Sequence, residues 1–165
     1  MEDIAKPETL LDKLAEQLKT LLAERSIDQP LMVGIHTGGV WVANALHHKL
    51  SLKEPLSTLD ISFYRDEFSR IGMSPQVKPS NLPSQIEDRH IILVDDVLHT
   101  GRTIRAAMNE IFDYGRPASI TLVCLIERSG REIPIQADVV GQRLHLNNNQ
   151  HIKLTGPQPL EFVVE

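Results

Sequence analysis

Apolar residues recur along this chain with two different spacings, and the spacing separates helix from strand. Leu10, Leu11, Leu14, Leu18, Leu21 and Leu22 fall three and four apart. They predict an amphipathic helix over Thr9–Arg25, with Thr9 and Asp12 three residues apart as a capping pair. Leu31–Ile35 is a short apolar run between Pro30 and Thr37-Gly38-Gly39 and reads as a buried strand. Val40–Leu50 returns to helical character, and Leu59-Asp-Ile-Ser-Phe-Tyr64 alternates as a strand does. From Arg65 to Asp88 neither spacing holds, and Gly72, Pro75, Pro79 and Pro83 interrupt the chain. A loop that long in a compact domain is uncommon; it serves as a lid or binding loop, or else is a decorative insertion.

The second half is more regular. Ile91-Ile-Leu-Val94 is a purely apolar strand ending in Asp95-Asp96. Gly101–Tyr114 places Ile104, Met108, Ile111 and Phe112 on one helical face, and Gly115 and Pro117 end it. Ile120–Ile126 is a third buried strand. Continuous apolar strands alternating with helices imply an α/β fold, a parallel sheet covered on both faces. Leu144–Leu146 is expected to form a hairpin with Ile152–Leu154, and a last strand is expected over Leu160–Val164. Nothing marks a second domain, so residues 1–165 are expected to form one unit.

Composition narrows the class without naming a function. The chain has 165 residues, 41% hydrophobic and 24% charged, which suits a globular domain large enough to bury a core. Its formal net charge of -5 argues against wrapping nucleic acid by global charge alone. The single cysteine, Cys124, permits no internal disulfide, and a cytoplasmic protein is the expectation. No apolar run approaches the roughly 18 residues of a spanning helix, so no membrane partner is expected.

The chemistry is concentrated in Ile91–Thr103. In an open α/β sheet, ligands bind beyond the carboxyl ends of the strands. Asp95 and Asp96 stand at such an end, and His99-Thr-Gly-Arg-Thr103 leads from them into a helix. Helix N-terminal N–H groups favour an anion, Gly101 allows close backbone approach, and Thr100 and Thr103 add hydroxyls. This is a phosphate cradle with two carboxylates beside it. Carboxylates repel phosphate, so the pairing suits a sugar phosphate: the turn holds the phosphate, and the acids accept hydrogen bonds from ribose hydroxyls or orient water on Mg²⁺. The plainer alternative for Asp95-Asp96 is a strand terminus and helix cap; the adjoining Thr-Gly-Arg-Thr favours the cradle.

Val94-Asp-Asp-Val-Leu-His-Thr-Gly-Arg-Thr103 resembles the phosphoribosyl pyrophosphate (PRPP) signature of type I phosphoribosyltransferases. Further blocks resemble the PyrR family, pyrimidine-operon regulators with uracil phosphoribosyltransferase activity. They are Leu59–Asp66, Gly115-Arg-Pro117, Glu127–Pro134 and Ala137–Gly141. The resemblance implies a type I phosphoribosyltransferase fold, with a central parallel sheet, flanking helices, a flexible lid over 65–88 and a small hood over 127–140. It implies conversion of uracil and PRPP to UMP and pyrophosphate with Mg²⁺, held near Asp95 and Asp96 through water and PRPP. Asp95, Asp96 and Arg65 would be catalytic. Val97, Leu98, His99, Thr100, Gly101, Arg102 and Thr103 would hold the 5′-phosphate, and Thr37 and Gly38 would belong to a pyrophosphate loop. Arg116 and Val140 match substrate-contact positions; read as residues alone, they are a helix-end charge and a core strand position. Many members carry Arg where this chain has Gly38, which removes a charge that would draw pyrophosphate. A homo-oligomer is also implied.

Three functions remain open at this stage. The first is the uracil enzyme. The second is an attenuation regulator that binds pyr leader RNA and senses UMP or related nucleotides; Arg102, Arg105, Arg128 and Arg131 would supply a basic surface, although the first helix lacks an arginine-rich start. The third is a purine phosphoribosyltransferase sharing the PRPP signature. Cys124 reads as an inert core residue and Trp41 as packing; the seven histidines show no zinc spacing.

Overall fold

The computed structural model describes residues 2–61, 80–83 and 85–165. Its elements in order are α1 (Pro7–Glu24), β1 (Leu31–Ile35), α2 (Gly38–Leu50), β2 (Ser57–Leu59), β3 (His90–Leu98), α3 (Arg102–Tyr114), β4 (Ser119–Arg128), β5 (Val139–Leu144), β6 (Ile152–Thr155) and β7 (Glu161–Val164). Five strands form one sheet in the order β2-β1-β3-β4-β5, with every pairing parallel. β6 and β7 form a separate antiparallel pair.

The sheet is apolar on both faces, as its continuous hydrophobic strands require. Met32, Ile92, Val94, Val123, Leu125 and Val139 pack in one cluster with α1, α2 and β6. Their alternating neighbours, among them Val33, Ile91, Leu93 and Cys124, pack in the other cluster with Ile104, Ala107 and Ile111 of α3. Helices thus cover both faces, and the fold is that of the type I phosphoribosyltransferases.

Several boundaries differ from the sequence expectation for physical reasons. α1 starts at Pro7, where proline's missing N–H costs nothing, and no side chain caps it; Thr9 and Asp12 lie inside the helix, so they are not a capping pair. β2 is Ser57–Leu59, so the expected strand begins two residues early and Asp60 and Ile61 lie beyond its end; Ser62–Tyr64 lie outside the described residues. The expected hairpin of 144–146 with 152–154 does not form. Leu144 ends β5 in the main sheet, and β6 pairs with β7 instead. β3 does not stop at Val94 but runs to Leu98, because β4 continues alongside it from Asp95↔Cys124 to Leu98↔Glu127.

That last difference creates the crevice. β1 pairs with β3 only as far as Gly34↔Val94. From Asp95 onward β3 has β4 on one side and the β1–α2 loop on the other. β1 leads to α2 on one face of the sheet and β3 to α3 on the other, so the space between their carboxyl ends is the switch point where open α/β sheets take ligands.

Candidate active site

Asp95 and Asp96 sit on neighbouring positions of β3, so their side chains leave opposite faces of the strand. Asp95 is buried, at 6% exposure, while Asp96 is half-buried. Each folds back on the chain: Asp96 N–H donates to Asp95 Oδ1 (2.9 Å) and Val97 N–H to Asp96 Oδ1 (2.8 Å). The strand therefore carries the acids inside its ladder and fixes one oxygen of each.

The β1–α2 loop lies directly against them. A Cβ built on Gly38 would fall 2.1 Å from Asp96 Oδ2, and one on Gly39 would fall 2.7 Å from the Val94 carbonyl oxygen. Glycine at 39 is therefore a condition of the close backbone approach, whereas a side chain at 38 would meet the Asp96 carboxylate and displace it. Thr37 is the exposed N-cap of α2, and His36 N–H donates to the Leu59 carbonyl (2.8 Å), which fastens the loop to β2. The His36–Thr37 peptide is cis. Asp60, buried just beyond β2, is a further acid on this side of the sheet. It sits in an alternating segment, which gives no signal in the sequence beyond a strand position.

On the other side of the acids the turn 99–101 leads into α3. Gly101 is the N-cap at φ +96°, a conformation that favours glycine. The first N–H groups of an α-helix lack acceptors within the helix. Here Arg102 N–H is taken by Thr100 Oγ1 (3.1 Å). Thr103 is half-buried in the first turn. The Arg102 side chain is exposed and paired with Glu132 (2.9 Å). Leu98 is a core side chain, so only its backbone can serve a ligand. His99 is held below the ordinary histidine pKa, chiefly by burial, then by the charge of Arg128, with Glu132 opposing and His151 adding to the depression.

Beyond the turn, between the ends of β3, β4 and β5, lies a cleft of about 340 Å³ bordered by His99, Arg128, Arg131, Gln136 and Arg143. Arg143 is paired with Glu127 (2.8 Å). Arg128 is buried, at 4% exposure. The four arginines proposed from sequence as a basic surface therefore do not present four free charges: Arg128 is internal and Arg102 is neutralised by Glu132.

The structure brings together Thr37, Gly38, Asp95, Asp96, Val97 and the 98–103 turn. It does not bring Arg116 or Val140 to them. Arg116 follows α3 at the opposite end of the sheet, where its N–H donates to Glu87 Oε2 and its carbonyl accepts from Asp88 N–H. Val140 is buried in β5 opposite Cys124. Arg65 lies outside the described residues, as does most of the expected lid. Cys124 is fully buried, and burial raises its thiol well above the usual range. Among the described residues no group of three His, Cys, Asp or Glu side chains is placed to hold a metal ion, and no helix is long and apolar enough to cross a membrane.

The phosphoribosyl transferase domain family matches residues 2–157. The Bifunctional protein PyrR of Nitrosococcus oceani is 59% identical over 160 residues, covering 96% of this chain and 90% of that protein. The Bifunctional protein PyrR of Pseudomonas paraeruginosa is 60% identical over 154 residues, covering 93% and 91%. Among solved structures, hypoxanthine phosphoribosyltransferase from Trypanosoma cruzi in complex with the product IMP superimposes with a TM-score of 0.70 at 19% identity, covering 90% of this chain and 81% of that one. A purine phosphoribosyltransferase from Pyrococcus horikoshii superimposes at 0.63 with 24% identity, covering 84% and 81%. At such identities the two structures speak for the fold alone. With an acid pair, a glycine loop and a helix N-terminus meeting at one switch point, and with relatives this similar along nearly the whole chain, the protein belongs to the phosphoribosyl transferase domain family and, within it, to the bifunctional PyrR proteins.

Proposed function

We propose that the protein converts uracil and PRPP to UMP and pyrophosphate and serves as a pyrimidine regulator. What carries the reading is the juxtaposition of Asp95 and Asp96 with two backbone anion sites, the 36–39 loop on one side and the 99–103 turn on the other. A donor with a phosphate at one end, hydroxyls in the middle and pyrophosphate at the other end matches that order.

In the reaction a bond forms from uracil N1 to C1′ of the ribose, the bond from C1′ to the pyrophosphate oxygen breaks, and the N1 proton is released to solvent. Positive charge develops on the sugar, so positioning and electrostatics dominate. The helix N-terminus at Gly101–Thr103 holds the 5′-phosphate, Asp95 and Asp96 accept from the ribose hydroxyls, and Thr37 and Gly38 line the pyrophosphate side. Arg65 belongs to the same reading, as a planar cation for phosphate oxygens; the described end of the 65–88 segment is fixed to the domain, with Asn81 paired to Thr58 and Ile86 fully buried. The 127–140 stretch covers the base. The donor set also fits Mg²⁺: Asp96 Oδ2 faces the loop and carboxylate oxygens suit a hard ion, while among the described residues too few side chains converge to hold the ion without the substrate's oxygens. Bound there, the ion would supply neutralisation of pyrophosphate charge.

UMP formation from uracil, PRPP and Mg²⁺ tests this reading. Wild-type protein should turn over well above Asp96→Asn; equal rates in two folded proteins would remove it. Hypoxanthine or guanine used in preference to uracil would instead favour a purine enzyme.

The regulatory role is supported by the similarity to the PyrR proteins and by the exposed Arg131 at the cleft beside the turn. Binding of pyr leader RNA should weaken steeply with salt and exceed binding of a scrambled RNA. Equal weak affinity for both would confine the regulator to nucleotide sensing. A homo-oligomer belongs to the same reading.

A further inference from the structure

The geometry points to Arg128 as a positioning residue for the phosphate turn: its guanidinium ties the Ser129 carbonyl, where the 129–136 segment begins, to the 147–150 turn, and that segment holds the backbone of Thr100 and Gly101 in place to receive a phosphate. This rests on the phosphoribosyltransferase reading above.

Arginine is almost never fully buried unless its donors are satisfied. Arg128 is 4% exposed at the last position of β4. Its Nε donates to the Ser129 carbonyl (3.2 Å), one terminal nitrogen to Gln150 (2.6 Å) and the other to Asn147 (3.1 Å). Three carbonyls from two chain segments are thus gathered by one planar fork, for which a lysine ammonium is a poor substitute. Ser129 completes the anchor. Its N–H donates to the Leu144 carbonyl (3.0 Å), and its hydroxyl donates to the Leu146 carbonyl (2.8 Å) while accepting from Leu146 N–H (2.9 Å).

From this anchor the chain runs straight to the turn. Gly130, at φ +113°, passes so close to His99 that a Cβ would lie 2.7 Å from Nε2. Glu132 and Ile133 N–H groups both donate to the Thr100 carbonyl, at 3.0 and 3.3 Å. Ile133 and Ile135 leave Gly101 no room, with atoms 3.0 Å from where its Cβ would stand. The Thr100 carbonyl, whose oxygen would repel phosphate, is therefore drawn toward the segment. The hydrogen bonds of Arg128 all go to backbone carbonyls of its own chain, so it acts through residues 129–136.

The test compares wild type, Arg128→Lys and Arg128→Met. The methionine variant should raise KM for PRPP at least tenfold, with kcat and KM for uracil within about threefold of wild type, and the lysine variant should fall between. Amide exchange at residues 100–103 should rise in the free Met variant, while the central residues of α1 stay protected. Unchanged PRPP KM and unchanged exchange at the turn would overturn the inference. So would a uniform loss of protection across the molecule with kcat and both KM values altered together, which is what a merely structural arginine predicts. If Arg128→Met does not fold, the same measurements on Arg128→Lys decide. A wild type that forms no UMP would defeat the catalytic reading, and exchange at 100–103 would still judge the tether.

Discussion

Gly38 and Asp96 show how two residues constrain each other. A side chain at position 38 would begin on the Asp96 carboxylate, with Cβ only 2.1 Å from Oδ2. Restoring the arginine that many family members carry should therefore displace Asp96 rather than simply add a useful charge. Gly38→Arg is expected to lower kcat/KM for UMP formation by about tenfold or more, equivalent to ~1.4 kcal/mol; activity at or above wild type would show that Asp96 can yield without loss. His99 offers a test by pH. Its pKa is depressed in the folded protein, first by burial and then by Arg128. The unfolded chain thus binds its proton more readily, and stability rises with pH through the window just below 6.5. That contribution is fully present above 6.5 and fades as pH falls toward the depressed value. Denaturant titrations of wild type and His99→Gln should diverge in that acid window and run parallel above it.

At the scale of elements, legibility in the sequence followed how local the cause was. α1 was readable from the leucine spacing, since burial of one face is written in the chain itself. Its start was not, because Thr9 and Asp12 imitate a cap that Pro7 makes unnecessary. This distinction can be measured: Thr9→Ala should change unfolding free energy by no more than about 0.5 kcal/mol, whereas Leu14→Ala, at a fully buried site, should cost about 3 kcal/mol. β3 was legible as far as Val94, but its extension through the acids depends on β4 lying alongside, a non-local fact. The hairpin expected from 144–146 failed for the same reason: Leu144 is claimed by β4, and β6 finds β7. In the candidate site, Asp95, Asp96 and the Thr-Gly-Arg-Thr turn are readable from residue type and adjacency, and the structure places them side by side. Arg128 appeared only as one more surface charge, because its role depends on carbonyls nineteen and twenty-two positions away.

For the molecule as a whole, the crevice joins parts remote in sequence. The 36–39 loop follows the first strand, the acids and the turn belong to the third and its helix, and the segment behind the turn leads from the fourth strand to the fifth. A ligand spanning these parts binds only the folded chain, so its affinity adds to global stability by mass action. UMP carries both the phosphate that the turn would take and the hydroxyls that the acids would take. At a hundredfold excess over its Kd it should stabilise the protein by about 2.7 kcal/mol, raising Tm by roughly 5–10 °C for a chain of this size. Uracil at the same concentration lacks both handles and should shift Tm little. Asp96→Asn should retain the phosphate contact and lose part of the hydroxyl contact, giving a smaller UMP shift than wild type at equal concentration. Calorimetry on the two proteins with UMP, uracil and inorganic phosphate separates these contributions. Equal shifts for UMP and inorganic phosphate would mean that the turn alone binds and that the acids take no part, which would leave the crevice an anion site and not a nucleotide site.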